Sequence, residues 1–166
     1  MASGDTLVVF GPYDNVPPAT NFATLDVLAT TLHPVLDFDG TAATGEQAVF
    51  HGVMPQNYAA GNITVIVFYT SKGTTNAVEW EVAFERHQAN TTDLDVDNFA
   101  TAQAFTADTV PGTLGVLTTH SLTVTAGANT DNVAAGDSFR LKIQRDSTND
   151  TNNDDAELHR VELQEA

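Results

Sequence analysis

"NITVIVFYT" (residues 62–70) decides the fold, because β-branched and aromatic residues run through it without a break. This composition is typical of a β-strand that is covered on both faces. The segment "SFRLKIQR" (138–145) alternates instead between apolar residues and basic or amide residues. Alternation with a period of two predicts a strand with one buried face and one exposed face. The two patterns together favour an all-β chain.

Further segments of strand-like composition recur along the whole sequence, separated by turns rich in Gly, Pro, Asn and Asp. They are 6–11, 22–28, 33–38, 47–54, 78–87, 99–107, 116–125 and 157–164. About 8–10 short strands with regular turns predict an antiparallel β-sandwich. The long connections 11–21 and 88–98 are expected to cross between sheets, which favours a jelly roll in a single domain over 1–166. A helical turn is expected only in 97–105.

The strongly negative net charge of the chain restricts the classes of partner that it can bind. The chain has 22 acidic and 6 basic residues, a formal net charge of −16, and no cysteine. Repulsion of phosphate backbones and anionic headgroups argues against nucleic-acid and membrane partners. The start "MASGDTLVVF" lacks the basic and apolar regions of a secretory signal, and no apolar run is long enough to span a membrane. We therefore expect a soluble protein made without export.

The segment "VEWEVAFERH" (78–87) carries three glutamates that alternate with Trp80 and other apolar residues. Glu79 and Glu81 would lie roughly 6.5–7 Å apart on one face of a strand, within the roughly 6.5–9.5 Å range of inverting glycosidases. Every i, i+2 pair of acids on a strand has this spacing, and a catalytic pair flanks its substrate from two sides. We interpret the glutamates, including Glu85, as the solvent-exposed side, with Trp80 in the core.

One acidic loop contains a candidate metal site. Asp93, Asp95 and Asp97 have the spacing of the first EF-hand ligands, but Asn98 and Ala104 stand where glycine and the bidentate carboxylate are needed. Calcium at the three aspartates is the alternative to a plain acidic loop, and no other cofactor is predicted. The tract "DSTNDTNNDDAE" (146–157) is interpreted as a solvated hairpin tip between the last two strands.

Catalytic motifs are not found. The five histidines lie in separate segments without zinc-ligand spacing, and neither a nucleophile elbow nor a phosphate loop is present in the sequence. The chain is therefore not predicted to be an enzyme.

Basic residues concentrate near the end of the chain. Those in the last two predicted strands are Arg140, Lys142, Arg145 and Arg160. They are a candidate contact for an acidic partner, or else they neutralise the domain's own carboxylates.

Several segments are similar to small structural proteins of tailed bacteriophages from marine and environmental sources. They are "NFATLDVL", "HPVLDFD", "AVFHGVMPQNYAAGNITVIVFYT", "VEWEVAFERH", "AAGDSFRLKIQRD" and "DAELHRVELQE". The resemblance implies a jelly-roll virion protein of the capsid decoration (cement) type. Such a protein would be made in the host cytoplasm and would bind the major capsid protein on the capsid exterior as a homo-trimer.

Two alternatives remain open. One is a receptor- or carbohydrate-binding module of a phage head or tail fibre, which needs exposed aromatic residues for stacking on sugars. Its candidates are Tyr13, Tyr58 and Tyr69, with Tyr58 in the loop "PQNYAAGN" the best placed. The other is a hydrolase that uses Glu79 and Glu81.

Overall fold

The strands expected from the period-two pattern form in the computed structural model, which describes residues 2–166. The bounds are β1 (Thr6–Phe10), β2 (Thr24–Val27), β3 (Pro34–Phe38), β4 (Gln47–Val53), β5 (Ile63–Ser71), β6 (Ala77–Val78), β7 (Trp80–His87), β8 (Gln103–Ala104), β9 (Asp108–Thr109), β10 (Thr118–Val124), β11 (Ser138–Arg145) and β12 (Ala156–Glu165). The two described helices are single 3-10 turns, at Pro12–Asp14 and Ala128–Thr130.

Two antiparallel sheets make the sandwich. The six-stranded sheet has the order β10-β5-β12-β3-β2. The long strand β12 pairs on the same side with two strands, with β3 along its first half and with β1 along its second half. The four-stranded sheet has the order β4-β11-β7-β8, and β6 and β9 form a small separate ribbon. The expected antiparallel β-sandwich of jelly-roll type is thus confirmed.

The core lies between the two sheets and is built from alternate positions of their strands. Trp80 of β7 is fully buried, as expected. Its ring meets the edge of Phe38 at a centroid distance of 5.0 Å and Tyr69 at 5.6 Å. A Cβ on Gly52 would lie 2.9 Å from the rings of Phe10 and Phe139, so a larger residue here would force these packed rings to shift. Aromatic rings therefore fill the sandwich across both sheets.

The connections that cross between the sheets differ from those expected. Segment 88–98 joins β7 to β8 within the four-stranded sheet. Segment 11–21 begins and ends in the six-stranded sheet, although between its ends it bonds to β4 at the edge of the four-stranded sheet. The crossings are made by 39–46, 54–62, 125–137 and 146–155, among others. Loop length therefore did not identify the crossings, because a long loop can also run along the edge of a sheet.

The last two strands do not form a hairpin. β11 belongs to the four-stranded sheet and β12 to the six-stranded sheet, so the connection between them spans the sandwich. The interpretation of 146–157 as a solvated tip is wrong for its central part. Asn152 is 1% exposed, and the carboxylate of Asp150 is almost fully buried. We call residues 146–155 the crossover segment.

Arg145 organises the crossover segment, and its side chain is fully buried. Its Nε donates to Asp150 Oδ2 at 2.7 Å. Nη1 donates to the carbonyls of Phe38 and Asp154 at 3.0 and 2.8 Å, and Nη2 donates to that of Asn152. The prediction of Arg145 as a partner contact is therefore wrong. Its alternation with the apolar residues of β11 places it on the inner face of the strand.

Segment 97–105 contains no helical turn, contrary to expectation. The Ala100 N–H donates to the Phe84 carbonyl at 2.7 Å, and the Phe105 N–H donates to the Trp80 carbonyl at 2.8 Å. The free edge of β7 thus holds this segment extended as the short strand β8. Within residues 2–166, no helix has the length and apolarity needed to cross a membrane.

Arg145→Ala should lower the free energy of unfolding by about 3–5 kcal/mol, because a buried carboxylate loses its partner. Arg145→Lys should recover little of this loss, since one ammonium cannot reproduce the planar set of donors. Urea unfolding measures both variants. Arg160→Ala is the matched control, since its side chain is 49% exposed, and it should cost less than about 1 kcal/mol. Equal losses of unfolding free energy in Arg145→Ala and Arg160→Ala would show that the hydrogen bonds of Arg145 do not stabilise the crossover segment.

Candidate functional site

Exposed aromatic side chains converge at one place. Among the large apolar side chains of residues 2–166 that are exposed, the aromatic ones are Tyr13 (70% exposed) and Phe22 (46% exposed). Both line one cleft of about 240 Å³. We call it the aromatic cleft, and its lining consists of Pro12, Tyr13, Asn15, Pro17, Phe22, Ala23, Thr24 and Leu25. Clustered exposed apolar side chains are typical of interaction sites.

One wall is the loop that carries Tyr13. A 3-10 turn starts it, and Asp14 closes that turn by accepting the Gly11 N–H at 2.7 Å. Asn15 then fastens the loop to the edge of β4, because its Oδ1 accepts the Val49 N–H at 2.9 Å. The Val16 N–H donates to the Val49 carbonyl at 2.8 Å. Tyr13 is therefore presented by a loop fixed at both ends.

The other wall carries Phe22 and is fastened to the same strand. The Ala23 N–H donates to the Gln47 carbonyl at 2.9 Å, and the Gln47 N–H donates to the Asn21 carbonyl at 2.7 Å. Asn21 has a φ of +52°, a conformation that asparagine tolerates better than most residues. Because both walls are anchored on β4, the cleft exists without a ligand, and binding would need little further ordering.

Polar groups accompany the aromatic rings. Residues 2–166 supply no hydrogen-bond partner for the Tyr13 hydroxyl, the Thr24 hydroxyl or the Asn15 Nδ2. A few polar groups in an otherwise apolar cleft fix the orientation of a ligand. The cleft is thus chemically suited to a ligand that has both apolar faces and hydroxyl groups.

An acidic surface adjoins the aromatic cleft at Thr24, which lines both. Its other members are Asp37, Asp39, Glu46 and Asp155. Burial raises the pKa of Asp37 although a hydrogen bond from Lys72 opposes this, and burial also raises the pKa of Glu46. Like-charged neighbours contribute to both shifts. The negative potential next to the cleft disfavours anionic ligands.

Tyr58 is not a ligand-facing residue, contrary to prediction. It is 5% exposed, and its hydroxyl donates to the Gly61 carbonyl. Burial raises the pKa of Tyr58 to about 12. Tyr69 is also buried, and its hydroxyl donates to Asp108 Oδ2 at 2.9 Å. Of the three tyrosines considered from the sequence, Tyr13 is the one that reaches a cleft.

Sequence reasoning missed Phe22, because the strand pattern of 22–28 gave no reason to place its ring outside the core. The available signal was local. Asn21 directly precedes it, and a residue that favours a left-handed conformation at the start of a strand changes the direction of the chain.

The three glutamates of segment 78–87 differ in environment. Glu79 and Glu81 are partly exposed, and burial raises the pKa of both, with Asp146 adding to the shift. Glu85 is 1% exposed, so its interpretation as solvent-exposed is wrong. Its Oε2 accepts from Arg140 Nη2, and its Oε1 lies 3.0 Å from His87 Nε2. Neighbouring side chains on the outer face of the sheet cover this carboxylate.

The basic residues predicted to contact an acidic partner do not lie on one surface. The Arg140 guanidinium and the Lys142 ammonium lie over the Phe99 ring at 4.9 and 5.3 Å, on the outer face of the four-stranded sheet. Arg160 lies over Phe68 at 3.7 Å, on the outer face of the six-stranded sheet. A contact through Arg140 and Lys142 stays a prediction, whereas a joint surface with Arg145 and Arg160 does not form.

The acidic loop holds its aspartates in a turn. Asp93 Oδ1 accepts the Asp95 N–H at 3.1 Å, and Asp97 Oδ1 accepts the Asn98 N–H at 3.0 Å. All three side chains are exposed. Over the part of the chain that the structure describes, no group of three or more His, Asp or Glu residues could hold a metal ion. Calcium binding at this loop stays a prediction.

Comparisons with known proteins show the fold. No protein-family model matches the sequence, and no curated protein matches it significantly. Among solved structures, it is similar to the CBM36-1 domain of a multidomain xylanase from the hindgut metagenome of Trinervitermes trinervoides, with a TM-score of 0.54, 9% identity, and 96% and 97% of the two chains covered.

Two further solved structures are comparable. The CBM22-1 xylan-binding domain of Paenibacillus barcinonensis Xyn10C gives a TM-score of 0.53 at 12% identity, over 100% of this chain and 99% of that one. A carbohydrate-binding module CBM36 in complex with calcium and xylotriose gives a TM-score of 0.51 at 13% identity, over 95% of this chain and 99% of that one. At these identities the likeness establishes the β-sandwich fold.

Tyr13→Ala should change the free energy of unfolding by less than about 0.5 kcal/mol, because an exposed ring adds little to stability. Asn15→Ala should cost about 1–2 kcal/mol, since the Val49 N–H loses its acceptor. Urea unfolding of both variants measures the two effects and distinguishes an exposed side chain from one that stabilises the loop. A larger loss for Tyr13→Ala than for Asn15→Ala would show that the ring is structural.

Proposed function

We propose that this chain is a non-catalytic carbohydrate-binding module that binds a neutral glycan in the aromatic cleft. The observation that carries the proposal is the convergence of Tyr13 and Phe22, both exposed, in one preformed cleft. Sugar rings have apolar faces that pack on aromatic rings and hydroxyl groups that need polar partners. The Thr24 hydroxyl and the Asn15 amide are placed to supply such partners.

The structural neighbours support this proposal through their own ligands. One is described as xylan-binding and another is in complex with xylotriose, and each is a carbohydrate-binding module. Because their sequences differ so much from this one, no residue is transferred from them. The aromatic cleft is proposed from this chain alone.

Cleft size and charge restrict the glycan. A volume of about 240 Å³ lies below the roughly 300–1,000 Å³ typical of pockets for drug-sized ligands, so we infer contact with a short stretch of sugar. A net charge of −16 and the adjoining acidic surface repel uronic acids and sulfated sugars. The proposed ligand is therefore a neutral polysaccharide or its chain end.

Affinity electrophoresis in gels containing neutral xylan or β-glucan should retard the wild-type protein, and polygalacturonate should not. Tyr13→Ala and Phe22→Ala should each weaken binding at least about tenfold, the equivalent of losing one well-packed contact. Val96→Ala is the matched control, because Val96 is 77% exposed in a distant loop. It should bind like the wild type.

A screen of neutral glycans without any binding would refute the proposal. So would full binding by the double variant Tyr13→Ala/Phe22→Ala.

The capsid decoration role stays a second proposal, which rests on the resemblance to phage structural proteins. One observation favours it. Arg140 and Lys142 are partly exposed side by side on the outer face of the four-stranded sheet of a strongly acidic chain, where they could meet an acidic capsid surface. The proposal includes the major capsid protein as partner, a homo-trimer and the capsid exterior as location.

Light scattering on a sizing column tests the second proposal. The decoration proposal predicts a mass three times the 17.6 kDa of the chain. The same measurement with a chelator shows whether a cation is needed for assembly. A 17.6 kDa species that is also absent from purified virions would contradict decoration and would leave glycan binding unaffected.

A further inference from the structure

A second cleft, of about 400 Å³, opens on the outer face of the six-stranded sheet. Thr70 of β5 and Glu157 of β12 form its floor as a directly paired cross-strand couple, with His159 beside them. Leu28 and Leu117 line it from the two flanking connections. We call it the Glu157 cleft. It shares no lining residue with the aromatic cleft.

Glu157 has an unusual position for a residue on an outward face, because only 8% of its side chain is exposed. Oε2 accepts a hydrogen bond from the Thr70 hydroxyl at 2.8 Å. Oε1 accepts none from residues 2–166, and the nearest cation is Lys72 Nζ at 3.8 Å. A buried carboxylate is thus left with one oxygen that is not hydrogen-bonded.

Lys72 does not neutralise Glu157 by itself. Its ammonium lies 2.7 Å from Asp37 Oδ2 and 3.1 Å from Asp155 Oδ2, closer than to Glu157. Three carboxylates therefore share one lysine, and of the three only Glu157 lines the cleft. The remaining negative charge favours a ligand with a positive charge.

His159 adds an acceptor to the same floor. Its Nε2 lies 3.0 Å from Thr70 Oγ1. The Thr70 hydroxyl already donates to Glu157, so its oxygen must accept, and Nε2 of His159 must carry the proton. Burial lowers the pKa of His159, with His33 contributing and Glu157 opposing, so the ring is neutral near pH 7 and Nδ1 is an acceptor. The floor thus offers acceptors and a negative charge.

The walls have the opposite character. Leu117 is 57% exposed and Leu28 is half-buried, so both present aliphatic surface to the cleft. Such surface gains free energy by covering methylene groups of a ligand. A cationic head at the floor and a short apolar body between the leucines would match the cleft.

We propose that the Glu157 cleft binds a primary ammonium carried on a short aliphatic chain. The ammonium donates to Glu157 Oε1 and His159 Nδ1, and the chain packs between Leu28 and Leu117. This site goes beyond the proposed glycan binding and does not depend on it.

The test is an NMR titration of the ¹⁵N-labelled protein at pH 7.5 in 0.15 M NaCl with n-butylammonium. We expect saturable shifts of the amides of Thr70, Leu117, Glu157 and His159 at about 1–10 mM ligand, as befits a ligand of five non-hydrogen atoms. Butanol should bind at least tenfold more weakly, and butyrate should not bind.

Glu157→Gln should weaken n-butylammonium binding at least tenfold, and its amide carbonyl can still accept from Thr70. Glu162→Gln is the matched control on the same face of β12, bonded to Thr6 Oγ1 at 2.6 Å outside the cleft. It should bind like the wild type. Leu117→Ala alters an exposed wall without touching the core and should weaken binding several-fold.

Equal shifts with butanol and n-butylammonium would overturn the proposal, as would unchanged binding by Glu157→Gln. Shifts spread over the acidic surface and lost at 0.3 M NaCl would show unspecific cation attraction and would also overturn it. Glycan binding by the same samples tests the aromatic cleft separately, so failure at one site is not failure at the other.

Discussion

The buried guanidinium of Arg145 is the interaction on which the arrangement of the two sheets depends. It starts from the end of β11 in one sheet and donates to the Phe38 carbonyl at the end of β3 in the other. Its remaining bonds hold the crossover segment through Asp150, Asn152 and Asp154. These bonds set where β12 enters the six-stranded sheet. β12 is central there, since it pairs with β5, β3 and β1.

The few cations of this acidic chain are largely committed to its own carboxylates. Arg145 pairs with Asp150, Arg86 with Asp137, Arg140 with Glu85, and Lys72 with Asp37 and Asp155. These pairs neutralise carboxylates that are partly or fully buried, and an unpaired buried charge would destabilise the fold. The surface that remains is strongly negative, which suits neutral or cationic ligands and not anionic ones.

The strands could be predicted from the sequence because alternation is a local property of the chain. Segment 138–145 matched β11, and 62–70 matched β5 to within one residue. The same alternation placed Arg145 on the inner face, yet its charge led to the prediction of a surface contact. A buried arginine is expected only when its acceptors are known, and these come from the crossover segment and from Phe38, 107 positions away.

The candidate sites were harder to predict. The lining of the aromatic cleft lies within residues 12–25, but its walls are held by the distant strand β4, and the Glu157 cleft combines four segments that are distant in sequence. Tyr13 and Phe22 share a cleft only because both of their loops bond to β4, near Val49 and Gln47. The burial of Glu85 requires Arg140 on the neighbouring strand, which is 55 positions away. Composition identifies exposed aromatics and unpaired acids as candidates, but which of them are exposed or unpaired depends on the pairing of strands.

The hairpin of β2 and β3 links the two clefts. Thr24 and Leu25 of β2 line the aromatic cleft, and Leu28 and His33 at its tip line the Glu157 cleft. All four residues of β2 are exposed, so this strand gains little stability from burial, whereas Val35, Leu36 and Phe38 of β3 are fully buried. β2 is held instead by its pairing with β3, which pairs in turn with β12. Since an exposed edge strand opens at lower free energy than a core strand, a ligand in either cleft would stabilise β2 and the turn that follows it.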